Sequence, residues 1–141
     1  MAVYNTQTNT KSGDIKFVAT ASLDGKEGLL VKLTSTNVVV PAAITDDPIG
    51  VVVEGDDGAL GVTVRPLSPY MNVRAYLTGT CAQGDRLVLD DGSTGTWGNV
   101  RKLPAGTGTA IIYRILGIAE EAGVAGQLVR FRPYPQVISV T

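Results

Sequence analysis

Histidine is absent from the 141 residues, and cysteine occurs once, at Cys81. The first absence removes the commonest metal ligand and the base that activates most serine and cysteine nucleophiles; the second excludes an intramolecular disulfide. Aromatic residues make up 6% of the chain and charged residues 18%, the latter below the roughly 25% of an ordinary soluble domain. A core must therefore come from Val, Ile, Leu and Ala, and part of the surface is expected to be covered by other protein. Twelve basic residues face thirteen acidic ones with no basic block, so a nucleic-acid partner, which would need several phosphate contacts, is not expected. No apolar run approaches the ~18 residues of a membrane span, and Met1-Ala2-Val3-Tyr4-Asn5 has neither the positive nor the apolar region of a secretion signal. The expectation is a protein made in a reducing compartment, neither spanning a membrane nor exported by that route.

What the chain does hold is a stretch that occurs twice. Ile49-Gly50-Val51-Val52-Val53-Glu54 runs on to Val62-Thr63-Val64-Arg65-Pro66-Leu67, and Leu116-Gly117-Ile118-Ala119-Glu120-Glu121 runs on to Val129-Arg130-Phe131-Arg132-Pro133-Tyr134. A single spacing of 67 residues aligns Gly50 with Gly117, Glu54 with Glu121, Val62 with Val129 and Arg65-Pro66 with Arg132-Pro133. Each copy is an apolar run, a middle rich in small residues and a second apolar run, which is the grammar of a β-hairpin. Proline has no N–H for a ladder, so Arg-Pro is expected to end the second strand of each copy. With 17 glycines and many valines and threonines, the fold class predicted is all-β: a compact barrel or sandwich built from two related hairpin units, with an extended N-terminal arm. Residues 1–13 form the arm, being polar with little to bury, and 14–141 a single β domain.

Further strands are expected at Ile15–Ala19, Leu29–Leu33, Asn37–Val40, Asn72–Leu77, Leu87–Leu89 and Val100–Leu103, with a last one at the C-terminus. Val73, Ala75 and Leu77 alternate with Arg74, Tyr76 and Thr78, so one face of that strand is wet. Gly28-Leu29-Leu30-Val31 is the counterpart of Gly84-Asp85-Arg86-Leu87, each a glycine turn ahead of a strand. The connector 42–48 has room for one helical turn, and the loop 90–99 has no equivalent in the first half. Ile111, Ile112, Ile115, Leu116 and Ala119 also fit helical spacing. The repeat decides against a helix there, because its partner carries three successive valines behind Pro-Ile-Gly, and β-branched runs are poor helix formers.

Candidates for chemistry are few. Asp46-Asp47, Asp56-Asp57 and Asp90-Asp91 stand beside Gly or Pro, where aspartate stabilises turns, and none has the alternating oxygen donors of a calcium loop. Cys81, without a histidine, reads as a small buried hydrophobe. Trp97, Tyr76 and Tyr113 are expected as core or interface anchors rather than as the walls of a sugar or peptide groove. No catalytic, metal or cofactor residues are assigned.

Two segments, Pro41-Ala42-Ala43-Ile44-Thr45-Asp46-Asp47-Pro48-Ile49-Gly50-Val51-Val52 and Ala119-Glu120-Glu121-Ala122-Gly123-Val124-Ala125-Gly126-Gln127-Leu128-Val129, together resemble the small capsid decoration (cement) proteins of tailed bacteriophages. The shared features are a Gly-Val strand, an acidic residue and a Gly-rich hairpin, over roughly Leu23 to Phe131. The long loop around Trp97 departs from that pattern. The resemblance implies a β-rich subunit on the outer capsid surface of the virion, made in the host cytoplasm, homotrimeric, and clamping neighbouring copies of the major capsid protein. It also implies an N-terminal segment, here Ala2, Val3, Tyr4, Asn5 and Thr6, that reaches the shell. Another virion module, such as a tail or spike component, shares every compositional feature, and a barrel binding a small ligand or sugar is the remaining class.

Overall fold

The computed structural model describes residues 13–55, 59–93 and 97–141. Every regular element among them is a strand. Ile15–Val18 (β1), Leu30–Leu33 (β2), Val38–Val39 (β3), Pro48–Gly55 (β4) and Gly61–Pro66 (β5) make one sheet in the order β1-β5-β4-β2-β3. Val73–Thr78 (β6), Arg86–Leu89 (β7), Val100–Lys102 (β8), Ile111–Ala119 (β9) and Leu128–Val140 (β10) make a closed barrel in the order β10-β6-β8-β7-β9. Read from β6, that barrel runs β6-β10-β9-β7-β8, which is the first sheet strand for strand. The chain is one five-stranded unit built twice.

The hairpin legible in the sequence is the middle of this repeat. Gly50, Val51 and Val52 oppose Pro66, Arg65 and Val64; Gly117, Ile118 and Ala119 oppose Pro133, Arg132 and Phe131. The correspondence continues where the residues no longer look alike. Leu30 and Val31 face Val51 and Gly50 as Arg86 and Leu87 face Ile118 and Gly117, and both ladders slip at the next residue. Gly28 and Gly84 carry the same left-handed φ, 91° and 89°, which only glycine adopts freely. Their N–H groups donate to Val52 O and Ala119 O at 2.9 and 2.8 Å. The glycine-turn counterpart expected from the sequence is therefore real.

The two units differ in how they close. In the second, β6 and β8 pair in parallel through Leu77 with Val100 and Thr78 with Arg101. In the first, β3 is two residues long, and closure shrinks to a bridge between Ala19 and Val38 with a 3.0 Å bond from Thr20 N–H to Val38 O. Each interior is filled from matching positions. Ala19, Val31, Val38, Val52, Val62 and Val64 pack in the first unit, and Leu77, Leu87, Val100, Ala119, Val129 and Phe131 in the second. The second interior carries the larger side chains, Leu77, Leu87 and Phe131 standing where Ala19, Val31 and Val64 do, with Ala119 for Val52 the change in the other direction.

β2 and β4 are buried on both faces at Leu30-Val31 and Gly50-Val51-Val52. Val31 and Val52 point into their own unit, while Leu30 and Val51, 0% and 3% exposed, belong to the core cluster of the second barrel. Backbone bonds tie the same contact: Tyr76 N–H donates to Gly28 O at 3.1 Å, and Leu30 N–H to Gly98 O at 2.9 Å. Tyr76, Leu128, Gly98, Leu89 and Val100 lie at one end of the second barrel. The outer face of the first unit thus caps that end.

The stretch Ile111 to Glu121 forms strand β9 over Ile111–Ala119, as the repeat required, and bends at Glu120 and Glu121. Two expectations need correcting. Pro66 ends β5, but β10 passes Pro133, slips in register before Gln136, and pairs on with β9 as far as Val140 opposite Ile111. Proline's missing N–H interrupts the ladder there, and the alternation of Val137 to Val140 restores it. The connector 42–48 holds no helix; a bond from Asp46 N–H to Ala43 O at 3.1 Å closes a turn there instead. The loop 90–99 is an expansion of a hairpin present in both units. Thr34 N–H bonds Asn37 O at 2.7 Å in the first, and Asp90 N–H bonds Asn99 O at 2.9 Å in the second. The expected arm, including Ala2 to Thr6, lies outside the described residues.

Candidate functional site

The six landmarks of the repeat come together in pairs, not in one place. Gly50 opposes Pro66 and Gly117 opposes Pro133 on adjacent strands. The arginine before each of these prolines finds a carboxylate: Arg65 Nε donates to Asp14 Oδ1 at 2.9 Å, and Arg132 Nη2 to Glu120 Oε2 at 3.3 Å. These are exposed ion pairs that contribute little to stability. The landmarks build the scaffold and leave the contact surfaces to other residues.

The copies meet at a groove of about 570 Å³, whose lining includes Pro48, Ile49, Pro69, Leu116, Pro133 and Pro135. Two pairs of residues 67 apart line it, Ile49 with Leu116 and Asp47 with Arg114, the second pair joined by an ion pair. Proline and branched aliphatic walls are rigid and apolar, with one charged pair at their side. Such a groove can hold an extended apolar segment, since its walls lose little side-chain entropy on contact.

Comparison with protein-family models and with curated proteins finds no match.

The second surface is the far part of the β9 and β10 pair. One face of this ribbon is packed: Tyr113, Ile115, Ile138 and Val140 cluster with Val88, Leu103 and Ile44. Its other face is open, with Ile112 and Val137 61% and 63% exposed on diagonal positions of the ladder, Ile112 opposite Ser139 and Val137 opposite Arg114. Tyr134, 57% exposed, follows at the register slip. The sequence reading expected a last strand here and missed this face. Alternation within Ile111-Ile112-Tyr113-Arg114 was the available signal, and it was obscured because both of its phases carry isoleucine.

The other predicted residues are structural. Cys81 is buried, its Sγ 3.7 Å from Glu121 O, and burial pushes the thiol up, away from the reactive thiolate. Trp97 lies against Gly92, and its neighbour Gly98 packs on Val40 and Leu29 of the first unit, so the expanded loop braces the junction. Tyr113 is buried in the ribbon cluster and Tyr76 packs beside Gly28. The three aromatics share no groove. Among the described residues, no three His, Cys, Asp or Glu side chains gather in a metal-binding arrangement.

Of the paired aspartates, Asp46 and Asp91 do the turn work expected of them, Asp47 pairs instead with Arg114, and Asp56-Asp57 lie outside the described residues. Burial alone would raise the Asp46 carboxyl, but Lys32 Nζ at 2.7 Å and the N–H groups of Ala42 and Ala43 outweigh it and hold it down. The Ala82 N–H, with Lys102, lowers Asp85; the Ser93 hydroxyl and N–H, with Arg101, lower Asp91; the Arg130 N–H, with Arg74, lowers Glu121. A carboxylate depressed in the folded state contributes stability above its unfolded pKa and loses it as pH falls through the folded one. Unfolding free energy followed by urea titration is therefore expected to be level from pH 8 to about 5 and to fall between about pH 4 and pH 2. A fall that began above pH 6 would contradict this assignment.

Proposed function

We propose that this chain is a capsid decoration protein of a tailed bacteriophage, bound to the outer surface of the virion shell and bridging neighbouring major capsid subunits. The observation that carries this reading is the open ribbon face of Ile112 and Val137, backed by a packed core, with Tyr134 exposed at the register slip beside it. A stiff apolar ridge on an extended strand pair presents contact area at small entropic cost, and a standard protein contact needs only about 800 Å² per partner. The likeness of 41–52 and 119–129 to decoration proteins supplies the identity of the partner and the homotrimeric state. A reactive centre is not required for adhesion of this kind.

Co-sedimentation with expanded phage heads stripped of their own decoration tests the reading. Wild-type protein is expected to add mass to the heads. An I112D/V137D double variant is expected to bind at least 10-fold more weakly at unchanged melting temperature, because both positions are exposed. Removing residues 2–11 is expected to weaken binding in the same assay and also to leave melting unaltered. Heads that gain no mass from folded wild-type protein would end the proposal.

A further inference from the structure

The strand registers set four arginines on the outer face of the second barrel. Arg86 of β7 and Arg132 of β10 both stand opposite Ile118 of β9, and Arg130 of β10 stands opposite Arg74 of β6. Residues directly opposite share a face, and so do Arg130 and Arg132, two apart on one strand. All four therefore project from one side, with Leu128 and Tyr76, opposite one another, at its margin. Neighbouring strands lie about 4.8 Å apart and residues two apart about 6.7 Å, so these positions repeat at roughly 5–10 Å.

Two carboxylates sit among them. Glu121 Oε1 accepts from Arg74 Nη1 at 2.7 Å, and Glu120 Oε2 from Arg132 Nη2 at 3.3 Å. Arg130 Nε stands 3.8 Å from Glu120 Oε1, too far for a hydrogen bond, and the exposed Arg86 guanidinium bonds no described residue. Four cations thus face two anions on a chain whose formal charge is −1. Residues 72–141 hold seven basic and five acidic residues, and residues 13–71 four and eight, so the excess of positive charge belongs to the second unit alone. Like charges directly opposite, as at Arg74 and Arg130, cost stability. The scaffold does not demand that pair, because Lys16 opposite Thr63 holds the equivalent register in the first unit.

We propose that this arginine face is a docking surface for an acidic protein segment, one that presents carboxylates at the spacing of the arginines and an apolar side chain against Ile118. Charge complementarity selects the occupant. Arg86 and Arg130 keep guanidinium donors uncommitted, and their planar forks match carboxylates. Glu120 and Glu121, in the middle of the face, repel the closely spaced phosphates of a nucleic acid. Ile118 and Leu128, 39% and 40% exposed, add apolar contact that a polyphosphate leaves unused. Arginine interleaved with apolar side chains is the composition of a protein interface. The face lies at the opposite end of β9 and β10 from Ile112 and Val137, and the inference stands whatever those residues bind.

Titration of the full chain at low ionic strength tests it, with short poly-L-glutamate and a random glutamate–tyrosine copolymer as probes and backbone amide chemical shifts as readout. Both probes are expected to move the signals of Arg74, Arg86, Ile118, Arg130 and Arg132, and the copolymer to bind more tightly. An R86E/R132E variant is expected to bind about 10-fold more weakly or worse at unchanged melting. A K16E/K26E variant, with the same change in net charge on exposed positions of the first unit, is expected to bind as wild type does. Ile118→Ser is expected to remove the advantage of the copolymer. Should R86E/R132E fail to fold, R86Q/R132Q carries the same comparison. Absence of binding would overturn the proposal, as would equal weakening by K16E/K26E, which would reduce the effect to net charge. A copolymer no better than poly-L-glutamate, or duplex DNA bound more tightly than either probe, would overturn it as well.

Discussion

Replacing Gly117 by alanine is expected to cost the fold about 3 kcal/mol, and Gly50→Ala nearly as much, the upper part of the usual range for overpacking. A Cβ at Gly117 would stand 2.2 Å from Arg132 O and 2.7 Å from Phe131 Cδ2; at Gly50 it would stand 2.4 Å from Arg65 O and 2.5 Å from Val64 Cγ1. The nearest atom in each case is a carbonyl of the opposing strand. No rotamer change relieves it, and the hairpin must open or slide. Val64 can turn its methyl aside, but Phe131 fills the centre of its barrel, so Gly117 is the more sensitive of the two. Gly79 is the control, with a left-handed φ of 79° and open space where a Cβ would stand. Its alanine variant meets only the backbone penalty, about 1 kcal/mol. Urea titration at fixed pH measures all three, and the Gly117 variant is expected to melt roughly 10 °C lower than wild type. A loss below 1 kcal/mol at both hairpin glycines would mean that the close approach is not what those positions require.

Those two glycines also show why part of the fold was legible in the chain. Their environments are equivalent, so selection by the same carbonyl contact left the same residue at both, and the 67-residue spacing survived between them. Leu30 and Arg86 hold equivalent positions in register and share no chemistry, because one is sealed between barrels and the other faces solvent. Beyond the glycine turns at Gly28 and Gly84, the duplication of β1 to β3 in β6 to β8 was invisible for that reason. So was the contact between units, although Leu29-Leu30-Val31 and Val51-Val52-Val53 are unbroken apolar runs of the kind that strands buried on both faces carry. Pro133 misled in another way. Its missing N–H predicts an interrupted ladder, but not whether the chain leaves the sheet or resumes pairing beyond a bulge. That depends on Ile111, Ile112 and Tyr113 being there to meet Val137 to Val140.

Leu30→Ala is expected to be the most damaging truncation outside the barrel interiors, at about 4 kcal/mol, within the range for a buried leucine. Leu30 is 0% exposed and packs in one cluster with Leu77, Leu89 and Phe131 of the other unit. Its own strand is fixed by the Leu30 N–H bond to Gly98 O and the pairing to Val51, so the backbone cannot sink into the space left behind. The cavity therefore persists, and a persistent cavity is what separates costly from mild truncations. Arg86→Ala, at the equivalent register position but on the open face, is expected to change stability by no more than about 0.5 kcal/mol. The pair of variants isolates the contact between units from the repeat that built it. Because Leu30 couples two bodies that each have their own core, its loss is also expected to lower the steepness of the urea transition as the first unit, closed by a single bridge, begins to open ahead of the second. An unchanged slope with a loss under 1 kcal/mol would show that the backbone bonds at Gly28 and Gly98 alone hold the two units together, and the contact between them would then owe nothing to its apolar centre.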